Sequence, residues 1–167
     1  MEKFKYDHLR YNKYYILKPN LLLLIVFAYY LKDLFMALIV AASLFKARGG
    51  SSVGAMLEIS SPRMMLSAIP VLLLFYALLN RHPEAGPRIR WIWHNGKHLI
   101  LASAILNSAQ ILLSTTSLDT LAGKVLIGFL VLNVAFVVYV YRSEFITDVF
   151  AQFPAPRKDE TPEVKSN

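Results

Sequence analysis

Long runs of apolar residues, separated by short polar and basic segments, dominate this chain of 167 residues. A helix needs about 20 apolar residues to span the hydrocarbon core of a bilayer. Four runs approach this length and are predicted to be membrane-spanning helices. They occupy residues 20–45, 63–80, 98–116 and 121–141. The second run is short and contains Pro70, so it is expected to kink or to enter the membrane without crossing it.

The pattern therefore predicts an all-α, polytopic membrane protein with a single membrane domain at residues 1–154. Residues 142–153 repeat apolar side chains at helical spacing, which predicts a short interfacial helix. The tail at 155–167 is rich in charge and proline and is predicted to be disordered. The polar N-terminal segment lacks a cleavage pattern, so the first span is expected to stay as an anchor.

The 18 Lys and Arg residues indicate the orientation of the chain. The N-terminal segment, the 80–97 loop and the C-terminal segment hold 13 of them, whereas the 46–63 loop and the 117–124 turn hold four. Cytoplasmic segments carry the excess of basic residues, so both termini are predicted to be cytoplasmic, N-in and C-in. The net charge of +7 then indicates contact with anionic lipid and no nucleic-acid partner.

A basic and aromatic stretch lies between the second and third spans. It contains Arg88, Arg90, Trp91 and Trp93. Tryptophan beside basic residues is typical of the membrane–water boundary, where the rings lie at headgroup level. These four residues are therefore predicted to be membrane-interface anchors. The alternative, a nucleic-acid patch with stacking rings, is disfavoured by the two adjacent spans.

Lys32 and Asp33 interrupt the first span, about 18 Å along the helix from its start. A charge inside the bilayer costs at least about 2.5–3.5 kcal/mol unless it is paired or hydrated. Adjacent residues do not face each other on a helix, so Asp33 is expected to meet Tyr29 or Tyr30 instead of Lys32. Polar residues of other spans reach a similar depth. The predicted intramembrane polar cluster is Lys32, Asp33, Asn107, Gln110 and Asn133.

Three interpretations of this cluster are open. It can be a structural group that fixes helix packing, with each interhelical hydrogen bond contributing about 0.6–2 kcal/mol. It can be a proton or ion relay in which Asp33 titrates. It can also contact a partner subunit.

The chain offers little for catalysis or cofactor binding. It has no cysteine, which excludes thiolate nucleophiles and Cys-ligated metals. His8, His82, His94 and His98 lie in boundary segments, and Gly96 weakens the helical spacing of the last two, so no metal or haem site is expected. Phosphate-binding loops, nucleophile elbows and HExxH motifs are absent from the sequence. We therefore expect no cofactor and no enzymatic activity.

Two segments at the ends of the membrane domain carry a family resemblance. One is YNKYYILKPNLLLLIVFAYYLKD, in which Leu17, Lys18 and Pro19 introduce the first span, and the other is YVYRSEFITDVFAQFP. Both resemble the YfeZ-like family of bacterial inner-membrane proteins, a domain of unknown function. The resemblance covers about residues 6–154. It implies a four-helix fold and a location in the inner membrane, and it supplies no catalytic residues.

These features favour a non-enzymatic accessory or assembly subunit of a larger membrane complex. The expected partners are the lipid bilayer and either another membrane protein or further copies of this chain. The alternative is a small oligomeric transporter or proton-coupled channel that uses Lys32 and Asp33. An accessory role beside a glycosyltransferase that makes exopolysaccharide is a third hypothesis.

Overall fold

The computed structural model of the protein describes residues 5–46, 65–113 and 120–155. Within these ranges the chain forms six α-helices and no β-strand, which confirms the predicted all-α class. They are α1 (Leu21–Lys46), α2 (Ala68–Leu79), α3 (Pro87–His94), α4 (Gly96–Leu112), α5 (Leu121–Arg142) and α6 (Glu144–Ala151). Most of the predicted 46–63 loop, the ends of two predicted spans, the turn at 117–119 and the tail from residue 156 lie outside the described residues.

Two helices are long and apolar enough to cross a membrane. The qualifying stretches are Leu21–Ile39 in α1 and Gly123–Arg142 in α5. The described part of α2 has 12 residues and that of α4 has 17, which correspond to about 18 Å and 25 Å. Both are shorter than the hydrocarbon core of about 30 Å. The first and fourth predicted spans therefore have the length and composition for crossing, while the second and third stay predictions.

Helices α1, α2, α4 and α5 pack around one apolar core. Helix α2 lies between α1 and α4, and α4 packs in turn on α5. Aromatic and branched side chains fill the interior, including Phe27, Tyr30, Leu74, Ile100 and Val140, none more than 2% exposed. Lipid tails are as apolar as these side chains, so in a bilayer such packing is held by van der Waals contact and interhelical hydrogen bonds.

Side-chain caps set the starts of three helices. Asn20, Thr120 and Ser143 each accept a hydrogen bond from the backbone N–H three residues later, at 2.9, 3.1 and 3.3 Å. These caps satisfy N–H groups that have no partner within the first helical turn. Ser143 also receives the end of α5, because its own N–H donates to the carbonyl of Tyr139. The chain therefore stops one helix and starts the next at a single residue.

Three segments gather at one end of the bundle, which we call the basic end: residues 5–20, 80–95 and 142–154. The backbone N–H of Leu17 donates to Oε1 of Gln152 at 2.8 Å, and Arg81 donates to the carbonyl of Leu17 at 2.8 Å. The prediction of a loop throughout 80–97 is wrong, because this stretch contains α3. Pro87 is the first residue of α3, where its fixed φ favours helix initiation. The N–H that proline lacks would have no partner within the helix at this position.

Helix α6 also differs from its prediction as an interfacial helix. Its apolar residues Ile146, Val149 and Phe150 are buried within the protein. The helix packs on α3 and α5. An apolar helical face shows that something covers it, and here the rest of the chain provides the cover.

Candidate functional site

A cavity of about 140 Å³ lies where α1, α4 and α5 meet. Four of the five residues of the predicted polar cluster line it, together with three apolar side chains. The lining residues are Lys32, Asp33, Asn107, Gln110, Ile111, Leu126 and Phe129. The cavity is open on one side, so it is a pocket in the surface of the bundle and not a sealed void.

Lys32 and Asp33 form an ion pair at the mouth of this cavity. Nζ of Lys32 lies 3.2 Å from Oδ2 of Asp33, and the two side chains are 30% and 24% exposed. The expectation that they would not meet is wrong, because the long lysine side chain bends back to its neighbour. The ammonium also lies over the rings of Tyr29, at 4.7 Å, and Phe129, at 5.5 Å. Such cation–π contacts partly replace the water that the ammonium loses.

The two tyrosines predicted to meet Asp33 bind elsewhere. Tyr29 donates through its hydroxyl to the backbone carbonyl of Phe129 at 3.0 Å. Tyr30 donates to Oδ1 of Asn133. Both hydrogen bonds join α1 to α5, so these rings connect two helices and do not solvate the carboxylate.

Asn107 is the most buried polar residue of the cavity, with 4% of its surface exposed. Its Oδ1 atom has no hydrogen-bond partner among the described residues. A buried polar atom without a partner is uncommon, and such atoms often mark a place where water or a ligand binds. Gln110 lies one helical turn further along α4 and lines the same cavity.

Asn133 belongs to a separate hydrogen-bond network, so the five-residue cluster splits in two. Its Nδ2 donates to the carbonyl of Ala104 at 2.9 Å and to Oγ of Ser108 at 2.8 Å. With Tyr30 as a donor to its Oδ1, this residue, only 1% exposed, links α1, α4 and α5. The sequence prediction missed Ser108 and the pairing of Tyr30.

Along α4 and α5 the cavity lies nearer to the helix ends that are opposite to the basic end. Asn107 is about 8 Å from Leu112, the last residue of α4, at 1.5 Å per residue. Phe129 is about 12 Å from Leu121, the first residue of α5. Along α1, by contrast, Lys32 lies about 17 Å from Leu21 and about 21 Å from Lys46, so the ion pair is close to the middle of its own helix.

Two of the four predicted interface anchors are engaged inside the protein. Trp93 is fully buried, and its Nε1 donates to the carbonyls of Val149 and Gln152 at 3.0 and 3.1 Å. Arg90 donates to the carbonyls of Pro83, Ala85 and Pro154. The prediction is thus wrong for Trp93, because it is fully buried, whereas Arg90 is partly exposed and its role as an anchor stays a prediction. Trp91, 64% exposed, and Arg88 face outward on α3, and their role as anchors stays a prediction.

Arg81, which is not among the predicted site residues, organises the basic end. Its guanidinium donates to the carbonyls of Leu17, Val149 and Gln152 and lies 4.5 Å over the ring of Trp93. Burial lowers the pKa of Arg81 to about 10, so it remains a cation at neutral pH. Carbonyls of the last turn of α6 stabilise that charge, since a helix C-terminus is the negative end of its dipole. A basic residue directly after an apolar run is the signal that marks such a position.

An exposed ion pair joins the two terminal segments at the same end. Lys5 and Tyr6 donate to Oδ2 of Asp148 at 2.8 and 2.7 Å. Both hydrogen bonds lower the pKa of Asp148, and the one from Lys5 has the larger effect. The same contact with Asp148 raises the pKa of Lys5. Among the described residues, no three His, Asp or Glu side chains come together in a way that could hold a metal ion.

No family model, curated protein or solved structure matches this chain. The resemblance to the YfeZ-like family therefore rests on the two quoted segments. Function has to be inferred from the arrangement of side chains within the bundle.

Proposed function

We propose that the protein is a multi-pass protein of the bacterial inner membrane that acts, without catalysis, as an accessory or assembly subunit of a larger membrane complex. In this proposal α1, α2, α4 and α5 all cross the bilayer and both termini are cytoplasmic. The grouping of three basic segments at the basic end supports this orientation, since such segments stay on the cytoplasmic side. A helix as short as α2 is accommodated by local thinning of the bilayer.

The observation that carries the proposal is a groove of about 410 Å³ between α4 and α5. Ala104 and Ser108 line its α4 wall at a spacing of four residues, and Asn133 lies on the α5 side. Small residues at this spacing let the backbone of another membrane helix approach closely. The hydrogen bonds of Asn133 are already made within the bundle, so such a contact would rest mainly on van der Waals packing. Only 17% of the apolar stretch of α5 is buried within the protein. We assign this groove to a transmembrane helix of a partner protein.

Photocrosslinking in native membranes tests this assignment. A benzophenone amino acid replaces Ile105, which lines the groove and is 61% exposed. The control position is Val131, which is 64% exposed on α5 and lies outside the groove. The proposal requires one discrete protein adduct from position 105 and none from position 131. The additional substitution Ala109→Trp should abolish the adduct from position 105, because the larger side chain fills the groove. An adduct of twice the chain's mass would identify a homo-oligomer instead, and lipid adducts alone would contradict a partner helix.

The cavity favours a second candidate function, a small oligomeric transporter or proton-coupled channel. A carboxylate that lines a cavity inside a membrane bundle is the kind of group that a proton relay uses, and Asp33 lines this one beside Lys32. Proton flux into liposomes, followed with a pH-sensitive dye, should then fall in Asp33→Asn. Asp148→Asn, at the basic end, is the matched control and should keep the wild-type flux. Absence of flux in the wild type, or equal flux in Asp33→Asn, would reject this function.

A further inference from the structure

The size of the cavity at Lys32, Asp33 and Asn107 suits a single ring. Its volume is about 140 Å³. An apolar cavity of about 150 Å³ in another protein is known to bind benzene. Ile111, Leu126 and Phe129 supply the apolar part of the wall. A ring placed against them would exchange lipid or water contacts for side-chain contacts without enlarging the bundle.

The polar part of the wall requires a hydrogen-bond donor from the ligand. Oδ1 of Asn107 can only accept a hydrogen bond, and it has no partner in the described part of the chain. The residue is 96% buried, with 4% of its surface exposed, so bulk solvent does not satisfy it. A ligand that enters the cavity and donates to this oxygen removes an unfavourable unpaired acceptor.

The charges in the cavity select against ionic ligands. Lys32 and Asp33 carry opposite charges and neutralise each other at 3.2 Å. A metal cation would be repelled by the ammonium and would find apolar side chains over much of the wall, whereas an anion would be repelled by Asp33. The ammonium has three N–H donors, and one of them meets Asp33. A neutral hydroxyl suits this environment because it both donates and accepts.

The exposure of the ion pair gives a further reason to expect a ligand bound over it. The side chains of Lys32 and Asp33 are 30% and 24% exposed, and the exposed apolar side chains of Phe35 and Met36 follow them on α1. Charged groups that face lipid tails are strongly unfavourable. A ring lying over the pair would separate it from the tails.

We propose that this cavity binds a neutral, lipid-soluble, single-ring molecule that carries a hydroxyl group, such as a phenol or a quinol headgroup. The hydroxyl donates to Oδ1 of Asn107, and the ring packs on Phe129. The cavity shares no lining residue with the groove between α4 and α5, so ligand binding and partner docking are separable.

Two probes of similar volume test this proposal: 4-fluorophenol and 4-fluorotoluene, which differ in a hydroxyl and a methyl group. Their binding is measured by fluorine NMR with the full chain in lipid nanodiscs, after subtraction of empty nanodiscs. We expect the wild type to bind 4-fluorophenol about tenfold more tightly, the effect of one buried hydrogen bond. Equal affinity for the two probes, or no binding of either, would overturn the proposal.

Three variants distinguish the effect of the hydrogen-bond acceptor of Asn107 from the effect of the cavity volume. Asn107→Ala keeps room for the ring but removes the acceptor, so the preference for the phenol should disappear while 4-fluorotoluene still binds. Ser103→Ala is the matched control, because Ser103 is buried on α4 one turn away, also lacks a described partner for its hydroxyl, and does not line the cavity. Leu126→Trp fills the cavity from α5 and should block both probes. A preference that persists in Asn107→Ala would also overturn the proposal.

Discussion

Gly96 lies directly against the ring of Phe150, at the point where α4 begins. A Cβ atom built on Gly96 would lie less than 3.0 Å from three carbons of that ring. The ring has little room to move, because Phe150 is 2% exposed and packs on Trp93 with 5.1 Å between ring centroids. The absence of a side chain at Gly96 is therefore what allows α6 to pack against the start of α4.

Gly96→Ala is expected to destabilise the protein by about 1–3 kcal/mol, the usual effect of forcing an extra carbon into a packed site. Thermal unfolding in detergent measures the change. Gly128→Ala is the matched control, because Gly128 lies inside α5 and a Cβ atom added there would meet no atom within 4 Å. Alanine there should stabilise the helix by about 0.5–1 kcal/mol. Equal effects of the two substitutions would show that the contact with Phe150 is not close.

Arg81→Lys should lower the free energy of unfolding by about 1–3 kcal/mol. Lysine keeps the charge but cannot reproduce the planar fork that reaches three carbonyls. The carbonyl of Leu17 then loses a donor, and those of Val149 and Gln152 keep only the Nε1–H of Trp93. The control is Arg88→Lys on the exposed side of α3, which should change stability very little. Chemical denaturation followed by tryptophan fluorescence is a direct readout, because Trp93 lies beside Arg81. An unchanged midpoint in Arg81→Lys would mean that any cation suffices at this position.

Asp148 makes stability depend on pH in the acid range. Its pKa is lowered in the folded protein by hydrogen bonds from Lys5 and Tyr6, so the unfolded state binds protons first as pH falls. The stabilisation is present above the unfolded pKa of about 3.9 and is lost as pH falls through the folded value. Melting temperatures measured from pH 6 to pH 2.5 should show this loss.

We call the fall in melting temperature at acid pH the acid limb. Asp148→Asn should make this fall smaller. Glu144→Gln is the matched control, since Glu144 lies 3.6 Å from Lys5 with a side chain that is 85% exposed, and it should leave the limb in place. An acid limb that is the same in Asp148→Asn and in the wild type would assign the effect to another carboxyl group.

The hydrogen bond between Tyr30 and Asn133 is expected to contribute about 0.6–2 kcal/mol, the range for interhelical hydrogen bonds in membranes. A double-mutant cycle of Tyr30→Phe and Asn133→Ala measures this coupling. Tyr76→Phe, at an exposed position on α2, serves as the control partner and should give additive changes. Additivity for Tyr30 and Asn133 as well would show that the two side chains are energetically independent.

The sequence predicts the helices well where the apolar runs are long. The starts of α1 and α5 agree within one residue with the predicted spans, because the apolar runs begin directly after the capping residues Asn20 and Thr120. It also places Asn107 and Gln110 with Lys32 and Asp33, since α1 and α4 both start at the basic end and equal depth from that end brings polar residues together. The position of Asn133 was not predictable in this way, because depth does not specify which side of α5 a residue occupies.

Sequence reasoning fails at the basic end for a different physical reason. An amphipathic pattern shows that the apolar side of a helix is covered. It does not show whether the membrane interface or the rest of the protein covers that side. Trp93 and Ile146 therefore suggest a membrane interface in the sequence and are buried in the protein. Arg81 gave no periodic signal at all, because its partners are backbone carbonyls that every residue possesses.

The contacts of Arg81 have a consequence for how the protein is made. Its guanidinium needs carbonyls of Leu17, Val149 and Gln152, so two of its three partners emerge from the ribosome about seventy residues after it does. Until α6 has been synthesised and has docked, this cation has to be held by water or lipid headgroups. The basic end is therefore complete only once α6 has docked, and a chain released before α6 would leave the guanidinium of Arg81 without two of its three carbonyl partners.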